Sequence, residues 1–395
     1  MNAKERLDQL LNGFVKAGVP GCSLAVSHKG RIVYTGYSGM ADVEKGTPVA
    51  ADTLFDIQSC TKCFTAVAAM KLYEEGRLAL NDPVDAYLPF FKDLTYRVTD
   101  ASGEVIVHPV SGPLTVRHLM TMTSGIPNPM GGSLTAADYR TKIGGRKNQP
   151  VMEMARKIAE IPLEFDPGTH WRYGFGFDVL AAVVESVAGM PFSAYLDQAV
   201  LKPLELNDTS FVLSKENADR FAAMYWLENG TARNMNRVIS DEENEGMKGG
   251  FGGSGLFSTL GDMVRFAGMM ACGGKWEGTR ILGENTVLFM GKNQLSGQPL
   301  ADFKLMAEQA YPWYKGYSWS LTGRTLVDAQ AAGSNGSGTE FGWCGGSGTY
   351  LLIDPTQQLG VAYMQHTAPV IGGMQGYCHP RVRNAVNALT DAWEY

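Results

Sequence analysis

The sequence predicts an α+β fold: an α/β sandwich domain whose antiparallel sheet draws strands from both chain ends and is flanked by the terminal helices, plus an inserted all-helical domain. Three observations predict it. β-rich runs stand near the N-terminus and again in the final third, residues from about 80 to 250 carry apolar side chains at three and four spacing, and the chain opens and closes on amphipathic helices. The expected boundaries are 1–78 with 250–395 for the sheet domain and 79–249 for the helical domain, with the active site in the groove between them.

The elements follow in order. In "MNAKERLDQLLNGFVKAG", Leu7, Leu10, Leu11, Phe14 and Val15 recur at helical spacing with Lys4 and Asp8 off that face. "CSLAVSHKGRIVYTGYSG" reads as two strands joined at His28-Lys29-Gly30, with glycine placed where positive φ is needed. "TLFDIQS" is short and extended, and "TKCFTAVAAMKLYEEGRLAL" is a helix that stops near Gly76. "LTVRHLMTMTSGI", "PVMEMARKIAEI", "GFDVLAAVVESVAG" and "FSAYLDQAVLKPL" are the inserted helices, and "LGDMVRFAGMMACGG" follows them. Strands return in "YKGYSWSL", "FGWCGGSGT" and "YLLIDPTQQLGVAYMQ", and "PRVRNAVNALTDAWEY" closes the chain as a helix.

Composition narrows the function. The 395 residues carry 34 basic and 40 acidic side chains, a formal charge of -6 with no basic block, which argues against a nucleic-acid partner. No apolar run reaches spanning length and the charged N-terminus lacks the build of a secretory signal, so no membrane span is expected. Six cysteines at irregular spacing are too sparse for a disulfide scaffold, and a reducing cytoplasm is the expected location.

Two signatures overlap in "IQSCTKCF". Cys60 and Cys63 form a C-x-x-C, and Ser59 with Lys62 forms the chain's one S-x-x-K. A structural zinc site needs two more ligands at short spacing, and neither the other cysteines nor the histidines supply them. The simplest reading of Cys60 and Cys63 is two small buried residues on a helix. Ser59 and Lys62 are three apart, so they share a face if Ser59 begins the helix, where a desolvated lysine can take the serine proton. For an isolated S-x-x-K, a capping serine beside a solvated lysine is the stronger reading; two distant boxes shift the balance.

The first is "DPGTHWRYGFGFDVL", which places Tyr173 on a loop before a helix, either to move the nucleophile's proton or simply to pack. The second is "FGWCGGSGTYLLIDP", a strand whose glycines permit close approach of a ligand, or an ordinary tight hairpin. The glycine-rich loop at Gly252 to Gly255 lacks a Walker lysine and reads as a structural turn near the groove. No G-x-S-x-G is present, which sets aside an α/β-hydrolase elbow.

In this order and at these distances the boxes resemble the serine β-lactamase and penicillin-binding-protein superfamily, in its class C β-lactamase-like branch. "GVPGCSLAVSHKGRIVY", "EEGRLALNDPVDAYLP" and "GGSGLFSTLGDMVRF" extend the likeness over almost the whole chain. The resemblance implies a β-lactamase/transpeptidase-like fold, Ser59 as acylated nucleophile, Lys62 as its proton acceptor, and Tyr173 as assisting base and later acid. It also implies that Trp343, Cys344 and Gly345 occupy the third box and that Gly346 offers an oxyanion N–H beside that of Ser59. Two positions depart from the antibiotic-hydrolysing pattern: Phe175 stands where Y-x-N carries asparagine, and Trp343 where a lysine or histidine holds a substrate carboxylate. Y-x-x-x-x-D with W-x-G is similar to the β-lactamase-like carboxylesterases of family VIII type and related acyltransferases. Asp178 falls in that pattern, as a supporting partner behind the site or as a first-turn aspartate.

The expectation is therefore a serine carboxylesterase acting on a small-molecule ester, with Trp343, Gly345 and Phe175 on the substrate-binding wall and no metal or organic cofactor. An acyltransferase, an amidase, a weak β-lactamase or D-peptidase, and an inactive penicillin-binding-like sensor are the rivals. The sequence is silent on oligomeric state.

Overall fold

Asn2 starts the first helix with a capping box: its side chain accepts the Glu5 N–H and the Glu5 carboxylate accepts the Asn2 N–H. The computed structural model describes residues 2–143, 149–228, 230–368 and 374–393. Helices α1 (Ala3–Lys16), α2 (Thr61–Glu74), α3 (Gly176–Ala188), α4 (Leu260–Ala271) and α5 (Gln375–Asn387) surround the main sheet and the site. The apolar stripe expected on α1 is the buried one, through Leu7, Leu11 and Phe14, with Leu10 and Val15 half-buried at its margin.

The sheet unites both chain ends as the pattern predicted. From the N-terminal part come β1 (Gly21–His28), β2 (Arg31–Asp42) and β3 (Thr47–Pro48). From the C-terminal part come β4 (Tyr317–Trp319), β5 (Arg324–Leu326), β6 (Phe341–Gly342), β7 (Tyr350–Asp354) and β8 (Leu359–Gln365). Their order is β4-β5-β6-β7-β8-β1-β2-β3, antiparallel throughout. β1 meets β8 with Ala25 opposite Ala362, so main-chain hydrogen bonds join residues more than 300 apart. Lys29 and Gly30 alone turn β1 into β2, at φ of 50° and 76°, the mirror-image turn whose twist suits a hairpin.

Helices cover both faces of the sheet. On one, Phe14 of α1 packs edge-on against Tyr363 with ring centroids 5.8 Å apart. On the other, Gly360, of opposite parity, lies against Ala267 and Gly268 of α4. Every residue of β1, β7 and β8 is therefore buried, which is why these strands read as apolar runs rather than as alternating ones. α2 is buried from Thr61 to Met70 because it runs between α3 and α4, with Phe64 stacked on Phe266 at 3.8 Å.

The inserted stretch departs from the all-helical expectation. Thr95–Thr99 pairs with Val105–Pro109, and Tyr225–Glu228 pairs with Thr231–Asn234, both antiparallel. The second hairpin also takes Thr367–Ala368 as a parallel neighbour, with Thr367 opposite Tyr225. The β-branched content of "TYRVT" and "VIVHP" and the Asp100 turn between them favour strands, and the helical spacing of the surrounding segments masked that signal. The helix expected over "LTVRHLMTMTSGI" is limited to Val116–Met120, because Met122 and Gly125 adopt positive φ and turn the chain toward the site. α5 starts at Gln375, upstream of Pro380, and residues 394 and 395 of the expected closing helix lie outside the described residues. No single helix among the described residues is long and apolar enough to cross a membrane.

Candidate active site

Ser59 sits on a 3-10 turn, Gln58–Cys60, that feeds directly into α2. A short strand, Phe55–Asp56, paired to Phe257–Ser258 delivers the chain there, and the Ile57 N–H donates to the Leu256 carbonyl at 3.0 Å. Gln58 takes φ of 44°, a conformation rare for a side chain of its kind, and its N–H is held by Asp56 Oδ1 at 3.0 Å. The turn aims Ser59 out of the core while Lys62, one helical step on, stays 1% exposed. Lys62 Nζ lies 3.3 Å from Ser59 Oγ and donates to the Gly253 carbonyl at 2.6 Å.

Tyr173 reaches the same serine from the inserted stretch. Its loop is pinned by the Arg172 N–H on the Met122 carbonyl at 2.9 Å and by the Trp171 N–H on Asp302 at 3.0 Å. Gly174 passes so close to the Ile126 carbonyl that a Cβ would collide with it, which explains the glycine after the tyrosine. The Tyr173 hydroxyl donates to Ser59 Oγ at 2.8 Å, and Lys62 Nζ stands 4.8 Å from the Tyr173 ring centroid. Phe175, 5% exposed, stacks parallel on Tyr139 at 6.3 Å and lines the pocket. Asp178, 1% exposed on the first turn of α3, accepts the Gly253 N–H at 3.1 Å, so it lies directly behind the carbonyl that holds Lys62.

The third box closes the ring. The Thr349 hydroxyl donates to the Ile57 carbonyl and the Ser347 hydroxyl to the Asp56 carbonyl, each at 3.1 Å, fastening this segment to the serine turn. Gly345 lies where a Cβ would run into the Ile57 carbonyl, and its N–H is committed to the Thr349 carbonyl at 2.8 Å. Gly346 lines the pocket beside Ser59, and no acceptor for either residue's N–H is found among the described residues. Trp343 stacks on Tyr314 at 5.4 Å and meets Trp319 edge-on at 4.6 Å. Its indole N–H donates to the Tyr173 hydroxyl at 3.1 Å.

These residues surround a pocket of about 880 Å³ with walls dominated by apolar side chains, among them Trp171, Phe251, Phe257, Met306 and Tyr314. Asp56 and Arg237 are the charged side chains on that wall among the described residues, and they pair with each other at 3.4 Å.

The sequence profile of the Beta-lactamase family matches residues 7–375. The chain belongs to that family. Protein Rv1367c of Mycobacterium tuberculosis is 30% identical over 338 residues, covering 84% of this chain and 82% of its own. Esterase EstB of Burkholderia gladioli is 35% identical over 208 residues, 52% of this chain and 50% of EstB. Among solved structures, EstCE1, described as a hydrolase with promiscuous acyltransferase activity, superposes with a TM-score of 0.81 at 24% identity over 97% of this chain and 98% of its own.

In this β-lactamase-family protein the structure brings Ser59, Tyr173, Trp343, Gly345, Gly346 and Phe175 to one pocket, with Lys62 buried beneath Ser59 and Asp178 behind it. Cys60 and Cys63 stay out of it. Both thiols are buried, Cys60 Sγ lying 3.7 Å from the Trp343 carbonyl. Burial pushes the Cys60 pKa well up and that of Cys63 to about 12, so both stay protonated. No metal-binding cluster occurs among the described residues. Replacing Cys60 and Cys63 together by alanine is expected to leave kcat within about threefold of the parent while lowering stability by a few kcal/mol, read by ester turnover and thermal melting. A large kcat loss with an unchanged melting point would assign the thiols to the chemistry.

Two contributors escaped the sequence. Gln375 is fully buried, and its side-chain amide donates to the carbonyls of Gly345 and Gly346 at 3.1 and 3.0 Å, fixing the loop beside Ser59. Gly253, read as a turn, supplies the carbonyl on Lys62. A glutamine at the first position of a C-terminal helix and a glycine in a G-rich loop carry no local signal for such roles.

Proposed function

We propose that this β-lactamase-family protein is a serine carboxylesterase acting through an acyl-enzyme, with its active site in the groove between residues 1–78 with 250–395 and the inserted residues 79–249. The observation that carries this reading is Ser59 Oγ, held at 3.3 Å from Lys62 Nζ and 2.8 Å from the Tyr173 hydroxyl, at the floor of a mostly apolar pocket. Ser59 attacks the ester carbonyl, and its proton passes to Lys62 with help from Tyr173. The N–H groups of Ser59 and Gly346 receive the oxyanion, and Tyr173 returns a proton to the departing alkoxide. Water then attacks the acyl carbonyl by the reverse route and frees the acid. Asp178 supports Lys62 through Gly253.

Phe175 and Trp343 favour an uncharged ester over a β-lactam or peptide carboxylate, because neither gives the polar or cationic contact that such substrates need. The esterase name of EstB supports the same choice. Acyl transfer to an alcohol is the second reading, favoured by walls that suit an organic acceptor as well as water and by the description of EstCE1.

A substrate panel tests both. Short p-nitrophenyl esters are expected to exceed a chromogenic cephalosporin and an anilide by about 100-fold or more in kcat/KM. A fluorophosphonate probe is expected to label Ser59, located by mass spectrometry. Adding a primary alcohol separates hydrolase from transferase by the share of transferred product. Failure to hydrolyse any ester, or labelling elsewhere, overturns the proposal.

A further inference from the structure

We infer that Trp343 is a positioning residue for proton transfer: its indole N–H orients the Tyr173 hydroxyl toward Ser59 and stabilises the phenolate oxygen formed when that proton departs. The inference rests on the proposed role of Tyr173 and adds to it a partner that pattern reasoning treated only as a lost cation.

The directions of the hydrogen bonds carry the argument. An indole nitrogen donates and cannot accept, so the 3.1 Å contact from Trp343 Nε1 to the Tyr173 oxygen has one possible polarity. It occupies one acceptor site of the phenol oxygen and closes that side to the phenolic proton. The proton is left to point at Ser59 Oγ, 2.8 Å away. When Tyr173 hands this proton to the leaving alkoxide, as the ester C–O bond breaks and the Ser59 Oγ–C bond is complete, negative charge appears on the phenol oxygen. That charge then lies against the Trp343 N–H dipole, with Lys62, which has taken the serine proton, close by to return a proton to the phenolate.

The donor is held in place. Trp343 is 6% exposed, stacked on Tyr314 and wedged by Trp319, whose own indole N–H is tied to the Met120 carbonyl at 2.9 Å. Its backbone is fastened too: the Trp343 carbonyl accepts the Leu351 N–H at 2.9 Å. Such a donor loses little freedom when charge develops, which is what makes a preorganised dipole effective.

The other titratable groups around it do not compete. From α2 comes Lys62; behind the strand the Cys60 and Cys344 thiols and the Tyr314 phenol are all pushed upward by burial and stay neutral, and the buried Arg324 guanidinium of β5 is paired with Glu340 at 3.7 Å. A neutral N–H thus supports the tyrosine without placing a cation at this position of the third box.

The decisive variant replaces Trp343 by β-(3-benzothienyl)alanine through amber suppression, because sulfur in place of N–H preserves ring shape and stacking. Its kcat on p-nitrophenyl butyrate is expected to fall about 10- to 100-fold with KM changed less than about threefold. The alkaline limb of kcat/KM against pH is expected to move upward by about one unit, because Tyr173 acts in its protonated form, a donor to the phenol oxygen favours the charged form and its loss disfavours it. Trp343→Phe is expected to show the same pH displacement with an added KM change from lost packing. An isostere with the parental kcat and pH profile overturns the inference, and if Trp343→Phe alone is then impaired, packing is the whole role of the tryptophan. Tyr173→Phe is the control for the underlying reading: parental activity in that variant removes Tyr173 from proton transfer and the inference falls with it, whereas failure of the isostere alone leaves the esterase assignment standing.

Discussion

Ser59→Ala is expected to lower kcat/KM toward p-nitrophenyl esters by about 10⁴-fold or more and to abolish fluorophosphonate labelling. In the proposed mechanism, deleting the hydroxyl removes the atom that forms the acyl bond, and neither remaining partner replaces it: Lys62 is committed to the Gly253 carbonyl and Tyr173 to the Trp343 N–H. For the same reason the fold is expected to survive. Each partner keeps a second hydrogen bond, and Ser59 is only half-buried, so the melting point should stay within a few degrees of the parent. Activity loss accompanied by unfolding would say nothing about the nucleophile, which is why melting and turnover are read on the same preparation. Retained turnover in a folded Ser59→Ala protein would sink the acyl-enzyme reading.

Lys62→Met is the second large effect. The substitution keeps the length and volume of the side chain, removes the amine and leaves a buried site that accepts an apolar group. kcat is expected to fall by about 10³-fold or more, since general-base assistance contributes on this scale and no other amine reaches Ser59 among the described residues. Stability has two opposing contributions. The Gly253 carbonyl loses its donor, at a cost of about 1–3 kcal/mol, while the protein is relieved of an amine held out of water. A folded but inactive protein is the expected outcome. If Lys62→Met retains more than about a tenth of the parental kcat, the proton goes elsewhere and Tyr173 becomes the first candidate base.

Parts of this site were legible because they are local or have a fixed spacing. Ser59 and Lys62 are three apart at a helix start, and helical geometry alone puts them on one face. The turn at Lys29-Gly30, the α1 stripe and the apolar strands β7 and β8 were legible for the same reason: each follows from a period of 3.6, a period of 2, or a two-residue turn with one workable geometry. The hairpin Thr95–Thr99 with Val105–Pro109 was missed although its composition announced it, because the helical periodicity of its neighbours was extended across it.

Other parts were out of reach for a physical reason. Nothing local distinguishes Gln375 from any polar residue near a helix start, yet its amide holds two carbonyls of the loop beside Ser59. Trp343 was legible as a substituted position and not as a donor, because its partner Tyr173 lies 170 residues away and the N–H direction depends on how Tyr314 and Trp319 clamp the ring. Asp178 had two equal readings until α3 and the Gly252–Gly255 loop were seen in contact, at 3.1 Å between Asp178 Oδ1 and the Gly253 N–H.

The amino-acid sequence by itself thus determined most of the helices, the strands of the main sheet, and a serine with a neighbouring amine at a helix start, since these depend on periodicity and on residues a few positions apart. The tertiary structure alone decided which carbonyl holds the lysine, which face of the phenol takes a donor, and how far the pocket is apolar. Those depend on contacts between segments 100 to 300 residues apart, and a hydrogen bond has to be within a few tenths of an ångström and the right orientation to exist at all.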